Sequence, residues 1–411
     1  MSFLTAQAPR PGSSRSVSFG LFPAGMITLA LSASVALAED LHVPAQFATI
    51  QQAIDAAADG DTIRIAPGTY RESVIWVDKD LNIFGSGALQ TIVDPGLGAG
   101  GPGGRAFELV NVPMSSRLDG IMIRGGNIMM PGGGMALSNS SPTISNCIFT
   151  ANDASFGGAM SNVGSAPLIV NCLFHDNSAI EGGAIDNASS QPVIINSTFA
   201  HNTAIADGGA IFNVMSQPVI VNSILWGNAA GQIGSFGSTI MISDSIVEGG
   251  FMGINIMDAD PLFVDSTAGD YRLDEGSPAI DAGDAEALVG EFLVDLAGEE
   301  RVAGEQVDLG AYEFHPPSAI EIDVCALIAM LKADVHAATN GRKKWFGNGR
   351  AMLRTLDLAC KMHRRGNDRA ARSLMVVFII QSKLMMLTRQ ISIGQGSAMV
   401  LSSRYIIEQL K

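Results

Sequence analysis

The chain reads GGAMSNVGSAPLIVNCLFHDN from Gly157 to Asn177 and GGAIDNASSQPVIINSTFAHN from Gly182 to Asn202. The two stretches share a glycine pair, a proline and two asparagines, and they are offset by 25 residues. Related lines begin at Gly133 and Gly208, so that successive glycine pairs are 24, 25 and 26 residues apart. A repeat of this length indicates stacked units, because one unit cannot bury its apolar side alone.

Each repeat contains three short apolar segments separated by Gly, Pro or Asn. No segment is long enough for a helix, and each fits a short strand bounded by turn residues. Stacking places equivalent strands side by side in three parallel sheets, with a rise of roughly 4.8 Å per coil. The sequence therefore predicts a mainly β fold, a three-sheet parallel β-helix.

Several residue types recur at one position of the coil and should stack in columns. Amides in a column can hydrogen-bond to each other, and phenylalanines in a column should fill the core. Cys147 and Cys172 share a slot that Ser197 and Ser223 fill in the next coils, which favours two free buried thiols over a disulfide. The columns are Asn146, Asn171, Asn196 and Asn222; Asn152, Asn177, Asn202 and Asn228; and Phe149, Phe174 and Phe199.

The two ends of the repeat region carry a family resemblance. Phe47, Ile50 and Ile54 have helical spacing and predict an amphipathic helix that caps the open end of the solenoid. Residues 49–70 resemble the first coil of pectin-lyase-fold proteins, and residues 258–314 resemble the C-terminal segment of many exported bacterial β-helix proteins. The resemblance implies a right-handed parallel β-helix over residues 39–314 and a tendency towards polysaccharides, but not an enzyme.

The N-terminal segment has the pattern of an export signal. Arg10 and Arg15 are basic, residues 19–37 carry no charge, and Ala36-Leu37-Ala38 is a small-residue cleavage site. This pattern predicts a signal peptide over residues 1–38 and a secreted, periplasmic or cell-surface protein. An uncleaved anchor is the alternative, but the apolar stretch is short, and no membrane span is expected in the mature chain. The sequence leaves the oligomeric state open.

The charge of the chain is divided between two regions. Residues 39–319 hold eight Lys and Arg against 34 Asp and Glu, a net −26, whereas residues 320–411 hold 15 against six, a net +9. This asymmetry predicts two units with different partners, joined by a linker at residues 315–319. The basic unit should be a small helical bundle. Its predicted helices cover residues 320–331, 350–362, 368–387 and from 392 or 394 to 410.

The basic unit also carries a resemblance. Arg365-Gly366-Asn367, Phe378-Ile379 and the run from Ile391 to Ile407 are similar to the helical FIMAH-type module, which is associated with glycosaminoglycan binding. Its positive field should attract polyanions, and in an exported protein acidic glycans are favoured over nucleic acid. A merely solvated bundle, or one that docks on the acidic solenoid, is the alternative. The predicted polyanion-binding residues are Arg342, Lys343, Lys344, Arg350, Arg354, Arg364, Arg365, Arg369 and Arg372.

The central coils offer few catalytic candidates. Between Arg124 and Arg272 there is no Lys or Arg, which argues against lyase chemistry there. Glu181 and Asp207 precede successive glycine pairs and should lie one coil apart, where they could share a proton or bind Ca²⁺. Asp186 is a further weak candidate. Exposed turn residues are the simpler interpretation of these acids, and also of His175 and His201.

Two functional hypotheses follow. The favoured one is an exported carbohydrate-binding or surface protein without catalysis, whose solenoid and basic unit engage polysaccharide, including acidic polysaccharide. The alternative is a polysaccharide lyase or glycoside hydrolase of the pectin-lyase fold. No cofactor is expected, with Ca²⁺ as the alternative.

Overall fold

The computed structural model describes residues 38–96, 104–287, 292–316, 324–339, 346–364, 368–387, 399, 401–404 and 406. The predicted signal peptide, apart from residue 38, lies outside the described residues, as do residues 317–319 of the predicted linker and residues 320–323 of the first predicted helix. The described part of the chain contains a β-solenoid and a set of helices.

The elements follow one another in a regular order. The strands are β1 Asp40–Val43, β2 Thr62–Ile65, β3 Gly68–Tyr70, β4 Val74–Val77, β5 Asn82–Phe84, β6 Thr91–Val93, β7 Phe107–Val110, β8 Arg117–Asp119, β9 Met122–Arg124, β10 Asn127–Ile128, β11 Met135–Ser138, β12 Thr143–Ser145, β13 Ile148–Thr150, β14 Asp153–Phe156, β15 Met160–Val163, β16 Leu168–Val170, β17 Leu173–His175, β18 Ser178–Glu181, β19 Ile185–Ala188, β20 Val193–Ile195, β21 Thr198–Ala200, β22 Thr203–Asp207, β23 Ile211–Val214, β24 Val219–Val221, β25 Ile224–Trp226, β26 Ile233–Phe236, β27 Met241–Val247, β28 Ile254–Met257, β29 Phe263–Asp265 and β30 Asp270–Leu273. The helices are α1 Ile50–Ala56, α2 Val324–Thr339, α3 Phe346–His363 and α4 Asp368–Leu387, with short 3-10 turns at Ser266–Ala268 and Ala285–Ala287.

The strands of the solenoid build three parallel sheets, as the repeat predicts, and β29 and β30 form a separate antiparallel pair. Sheet 1 contains β4, β7, β11, β15, β19, β23 and β26; sheet 3 contains β10, β14, β18 and β22; and the 17-stranded sheet 2 contains the strands between them. Equivalent residues of successive coils pair directly, as Phe174 does with Phe199. A central coil has four strands instead of the predicted three, because an asparagine with positive φ, such as Asn171 (φ 52°), bends sheet 2 into two segments.

The predicted core columns are confirmed. Neighbouring rings of Phe149, Phe174 and Phe199 stack with centroids 4.7 Å apart. The amide Nδ2 of Asn177 donates to Oδ1 of Asn202 at 2.9 Å, and the neighbouring pairs of this column repeat the bond. Each amide also donates to a backbone carbonyl of the coil before it. The inner asparagines therefore tie the coils together in a buried ladder.

The other predicted asparagine column behaves differently. Only Asn171 and Asn146 share an amide hydrogen bond, at 3.3 Å, and the buried amide of Asn196 has no hydrogen-bond partner among the described residues. Asn171 and Asn222 instead donate to the carbonyls of Val294 and Asp284. The column prediction holds only in part, because these residues form the outer turn on which the C-terminal segment docks.

Two further predictions about the solenoid are confirmed. Cys147 and Cys172 are free and buried, and burial beside Cys172 raises the pKa of the Cys147 thiol. Helix α1 begins after Thr49, whose side chain accepts the backbone N–H of Gln52, and it buries Ile50 and Ile54 against the solenoid. The cap helix thus covers apolar residues at the first coil.

The segment 261–314 folds back over the outer surface of sheet 2. Tyr271 packs on Leu173 and Ala200, and Leu309 packs on Ile224. The backbone N–H of Ala311 donates to the Thr198 hydroxyl at 2.9 Å, across a sequence separation of 113 residues. The C-terminal segment therefore covers part of sheet 2, while outward apolar side chains of sheets 1 and 3 are exposed, among them Ile180, Ile205 and Val163.

The helical unit has its own apolar core. Met352 and Leu356 of α3 pack against Ile328 of α2 and Phe378 of α4. Helix α4 has the predicted bounds, whereas α2 runs eight residues beyond the predicted end at Leu331. A disulfide between Cys325 and Cys360 joins α2 to α3, which the sequence analysis did not predict. Among the described residues, no helix combines the length and apolarity that crossing a membrane requires.

Candidate functional site

The glycine pairs form the turns between sheet 3 and sheet 1. Gly182 has φ +64°, and a side chain there would collide with the carbonyl oxygen of Ile185. The same steric restriction recurs at Gly157 and Gly208 in the neighbouring coils. Only glycine can therefore turn the backbone this tightly, and the turn brings the end of sheet 3 back against the outer face of sheet 1.

Two outward positions flank each glycine pair, one just before it and one four residues after its first glycine. In three successive coils they hold Phe156 and Ser161, Glu181 and Asp186, and Asp207 and Phe212. The strand register places Glu181 between Phe156 and Asp207, and it places Asp186 between Ser161 and Phe212. We call these six residues the corner site.

The sheet 1 positions of the corner site are covered by neighbouring side chains. Ser161, Asp186 and Phe212 face outward on sheet 1, yet they are only 1%, 7% and 8% exposed. Val163, which also faces outward on the strand of Ser161, is 47% exposed. Both the Asp207 carboxyl carbon and the Phe212 ring lie 2.6 Å from where a Cβ would stand at Gly234. The Asp207 carboxyl group and the Phe212 ring therefore lie next to the same point of the corner site.

One carboxyl group of the corner site, that of Asp186, has a raised pKa. Burial, with a smaller contribution from the negative charge of Glu181, raises the pKa of Asp186 to about 7, although a hydrogen bond from the Ser161 hydroxyl opposes the rise. Asp207 accepts the N–H of Gly208 at 2.8 Å. Near neutral pH, Asp186 can donate a hydrogen bond or a proton to a ligand.

The structure brings the three weak candidates of the sequence analysis together. Glu181 and Asp207 lie in register on adjacent coils, as their spacing predicts, and Asp186 lies across the glycine turn from Glu181. Within the described residues, no three His, Cys, Asp or Glu side chains are grouped so that they could hold a metal ion. A Ca²⁺ ion on Glu181 and Asp207 stays a prediction that this arrangement does not strengthen.

The interpretation of the two histidines as exposed turn residues holds only in part, because His201 lies in a bend with φ 54° but both side chains are half-buried. His175 and His201 lie beneath Tyr271 of the C-terminal segment, whose hydroxyl is 3.2 Å from Nδ1 of His201. Burial lowers the pKa of His175, although a hydrogen bond with Asp176 opposes this shift. The sequence could not show this, because the docking partner is 70 residues away.

The predicted polyanion-binding residues are described only in part. Arg354 and Arg364 are exposed, as is Lys361, while Arg372 is half-buried. Arg350 lies in α3 and Arg369 in α4. The remaining predicted residues, Arg342, Lys343, Lys344 and Arg365, lie outside the described residues.

Comparisons with known proteins address the fold. A family model described as a right-handed β-helix region matches residues 111–268. The solenoid is a right-handed parallel β-helix. No curated protein matches the chain significantly.

Solved structures that match include the pectin methylesterase PemA from Erwinia chrysanthemi, at 11% identity and a TM-score of 0.32 over 55% of this chain and 68% of that one. The carrot pectin methylesterase matches at 12% identity and a TM-score of 0.30, over 56% and 86%. Similarity this low carries no information about activity.

Proposed function

We propose that the protein is an exported polysaccharide-binding protein and that the corner site binds its sugar units. One observation supports the proposal: on three adjacent coils, the positions that flank the glycine turns hold two phenyl rings and three carboxyl groups in register. Sugar rings have apolar faces and hydroxyl edges, so apolar walls with a few convergent polar groups suit them. The residues on either side of the glycine turns supply both.

The spacing of the corner site suits a polymer. Successive coils rise roughly 4.8 Å, so an extended ligand along the solenoid axis would pass Phe156 first and then the carboxyls. The net −26 of residues 39–319 repels polyanions. We therefore expect the corner site to take neutral sugar units.

The disulfide supports the exported state. Cys325 and Cys360 form a covalent bridge between two helices. Structural disulfides persist in oxidising compartments and are rare in the cytosol. This agrees with the export signal that the sequence predicts at the N-terminus.

Glycoside hydrolysis is the second candidate function, and the raised pKa of Asp186 favours it. In this candidate function Asp186, with its raised pKa, would act as the acid, and Glu181 or Asp207 would act as the base in the hydrolysis of a glycosidic bond. Lyase chemistry has less support, because no Lys or Arg occurs between Arg124 and Arg272.

Binding to a panel of neutral and acidic polysaccharides tests the proposal. We expect Phe156→Ala and Glu181→Gln to weaken binding of the best ligand about ten-fold each, since a lost aromatic contact or charged hydrogen bond costs about 1.4 kcal/mol or more. Isothermal titration would measure the affinity, and a reducing-end assay on the same samples would measure turnover. Glu275→Gln, an exposed acid away from the corner site, is the matched control.

Two results would change the conclusion. Wild-type protein that binds no member of the panel, or variants that bind as tightly as wild type, would contradict the proposal. Release of reducing ends that Asp186→Asn abolishes would replace it with the hydrolase alternative.

We further propose that the helical unit binds polyanions through its basic surface. Retention of the full chain on heparin is expected to fall for the double variant Arg354→Ser, Arg364→Ser, because exposed charges contribute to polyanion attraction. The salt concentration of elution measures the effect, and Arg64→Ser on the solenoid is the matched control. Elution of the wild-type chain with a neutral control protein would exclude this role.

A further inference from the structure

Sheet 1 has an apolar row of side chains on its outer face. Each of its seven strands, from β4 to β26, points two side chains outward, and the second of them is in register with its counterpart on the next strand. The row therefore runs along the whole length of the sheet. We call these seven residues the apolar row: Val77, Val110, Ser138, Val163, Ala188, Val214 and Phe236.

The apolar row is open to solvent. Val77, Val163 and Phe236 are 39%, 47% and 66% exposed, and the other four residues are half-buried. The outer face of sheet 2, by contrast, receives the C-terminal segment, where Leu309 packs on Ile224. Sheet 1 thus presents an apolar face that no part of the described chain covers.

This face carries little charge, although the solenoid is strongly acidic. All seven strands lie within the described residues, and among their outward positions only Glu108 and Asp186 are ionisable. Residues 39–319 as a whole hold 34 Asp and Glu. Depletion of charged residues at an apolar patch is typical of the core of a protein interface. The partner that fits this face must itself be apolar and uncharged where it touches, as a second apolar row is.

We propose that sheet 1 is the interface of a weak homodimer, in which two copies stack face to face along their apolar rows. Strand β15, which carries Val163, is the fourth of the seven strands. A two-fold axis through it therefore places every strand of one copy opposite a strand of the other. Val163 then faces its own counterpart, and Val77 lies opposite Phe236. Two sheets with β-branched side chains pack in this way at a separation of roughly 10 Å.

The size of the face determines the strength of the dimer. Seven four-residue strands, spaced roughly 4.8 Å apart, give a contact of roughly 30 Å by 17 Å, or about 500 Å² on each copy. A total of about 1,000 Å² is below the roughly 1,200 to 2,000 Å² of stable complexes and is typical of weak, transient ones. We therefore expect monomers at about 1 µM and dimers at about 200 µM.

The dimer also stands over part of the corner site. Ser161 and Asp186 lie two residues before the apolar row, on the strands of Val163 and Ala188. A partner on the row limits access to them from sheet 1, so a ligand of the corner site should favour the monomer. Dimerisation needs no glycan, so its failure would leave the proposed binding of polysaccharide untouched.

Sedimentation velocity of the full chain over this concentration range, at low and at high salt, tests the dimer. Val163→Asp places two carboxylates face to face at the two-fold axis and is expected to weaken dimerisation at least about ten-fold. Ile205→Asp, which changes an 80% exposed apolar residue on sheet 3, should dimerise like the wild type. Salt should strengthen the wild-type dimer, because it screens the repulsion between two acidic solenoids.

Cysteine cross-linking tests the two-fold arrangement without adding a charge. Val163→Cys should give a covalent dimer with a short bismaleimide, because the axis brings the two thiols together, whereas Ile205→Cys should not. The native cysteines do not interfere, since Cys147 and Cys172 are buried and the other two form a disulfide.

Three results would overturn the interface. The first is a wild-type chain that stays monomeric at the highest concentration. The second is a dimer that Val163→Asp leaves unchanged, or that Ile205→Asp weakens to the same extent. The third is a dimer that dissociates as the salt concentration rises, because it would be held by the basic helical unit on the acidic solenoid and not by sheet 1.

Discussion

Reduction of the Cys325–Cys360 disulfide is expected to lower the free energy of unfolding of the helical unit by about 3 to 4 kcal/mol. The bridge closes a loop with a sequence separation of 35 residues, and the chain-entropy model assigns a loss of this size to opening it. Denaturant unfolding of the full chain, followed by far-ultraviolet circular dichroism with and without reductant, would measure it. The helical transition should move to lower denaturant, and the solenoid transition should not move.

The free cysteines of the solenoid provide the control for this experiment. Cys147 and Cys172 are free and buried in the solenoid, so reductant has no disulfide to act on there. The double variant Cys325→Ser, Cys360→Ser should unfold like the reduced wild type and should not respond to reductant. A helical transition at the same denaturant concentration in all four samples would contradict the prediction.

Replacement of Asp186 by Asn is expected to stabilise the solenoid by about 2 to 4 kcal/mol at pH 8. Burial raises the pKa of the folded-state carboxyl from 3.8 to about 7, and each unit of difference is worth about 1.4 kcal/mol. Above pH 7 the wild type must hold a buried charge beside Glu181, whereas the amide carries none. Chemical unfolding at a series of pH values would measure the difference.

The pH dependence of this difference in stability follows from proton linkage. Between about pH 4 and 7 the unfolded state has lost the Asp186 proton while the folded state retains it, so wild-type stability falls as pH rises. The advantage of Asp186→Asn should therefore be small at pH 4, grow up to pH 7 and remain constant above it. Asp55→Asn, which changes an exposed acid, should show no such trend. A constant difference across the range would mean that Asp186 titrates normally.

The sequence predicts the solenoid well because its repeats carry glycine, proline, asparagine and phenylalanine at fixed positions, and each of these residue types suits only a few backbone conformations or environments. Phe149, Phe174 and Phe199 stack as the 25-residue offset predicts, and the inner asparagines form their ladder. A further ladder, Asn162 to Asn187 to Asn213, was not predicted, although its members occur at equivalent positions in the repeats. Comparison of every coil position, including those outside the most regular columns, would have found it.

The corner site was predicted only in part, because its chemistry depends on how two sheets meet. The position before each glycine pair predicted Glu181 and Asp207 as site residues. Phe156 occupies the same position in the preceding coil, but it was not predicted. Spacing alone cannot show that Asp186 is buried although it faces outward.

The return of the C-terminal segment over sheet 2 changes how the solenoid can come apart. A stacked array ordinarily frays one coil at a time from its ends. Here Val294 and Asp284 receive hydrogen bonds from asparagines two coils apart, and Ala311 is fixed to a strand between them. The C-terminal segment therefore links the late coils from outside, and these coils cannot unfold one at a time until the segment has detached.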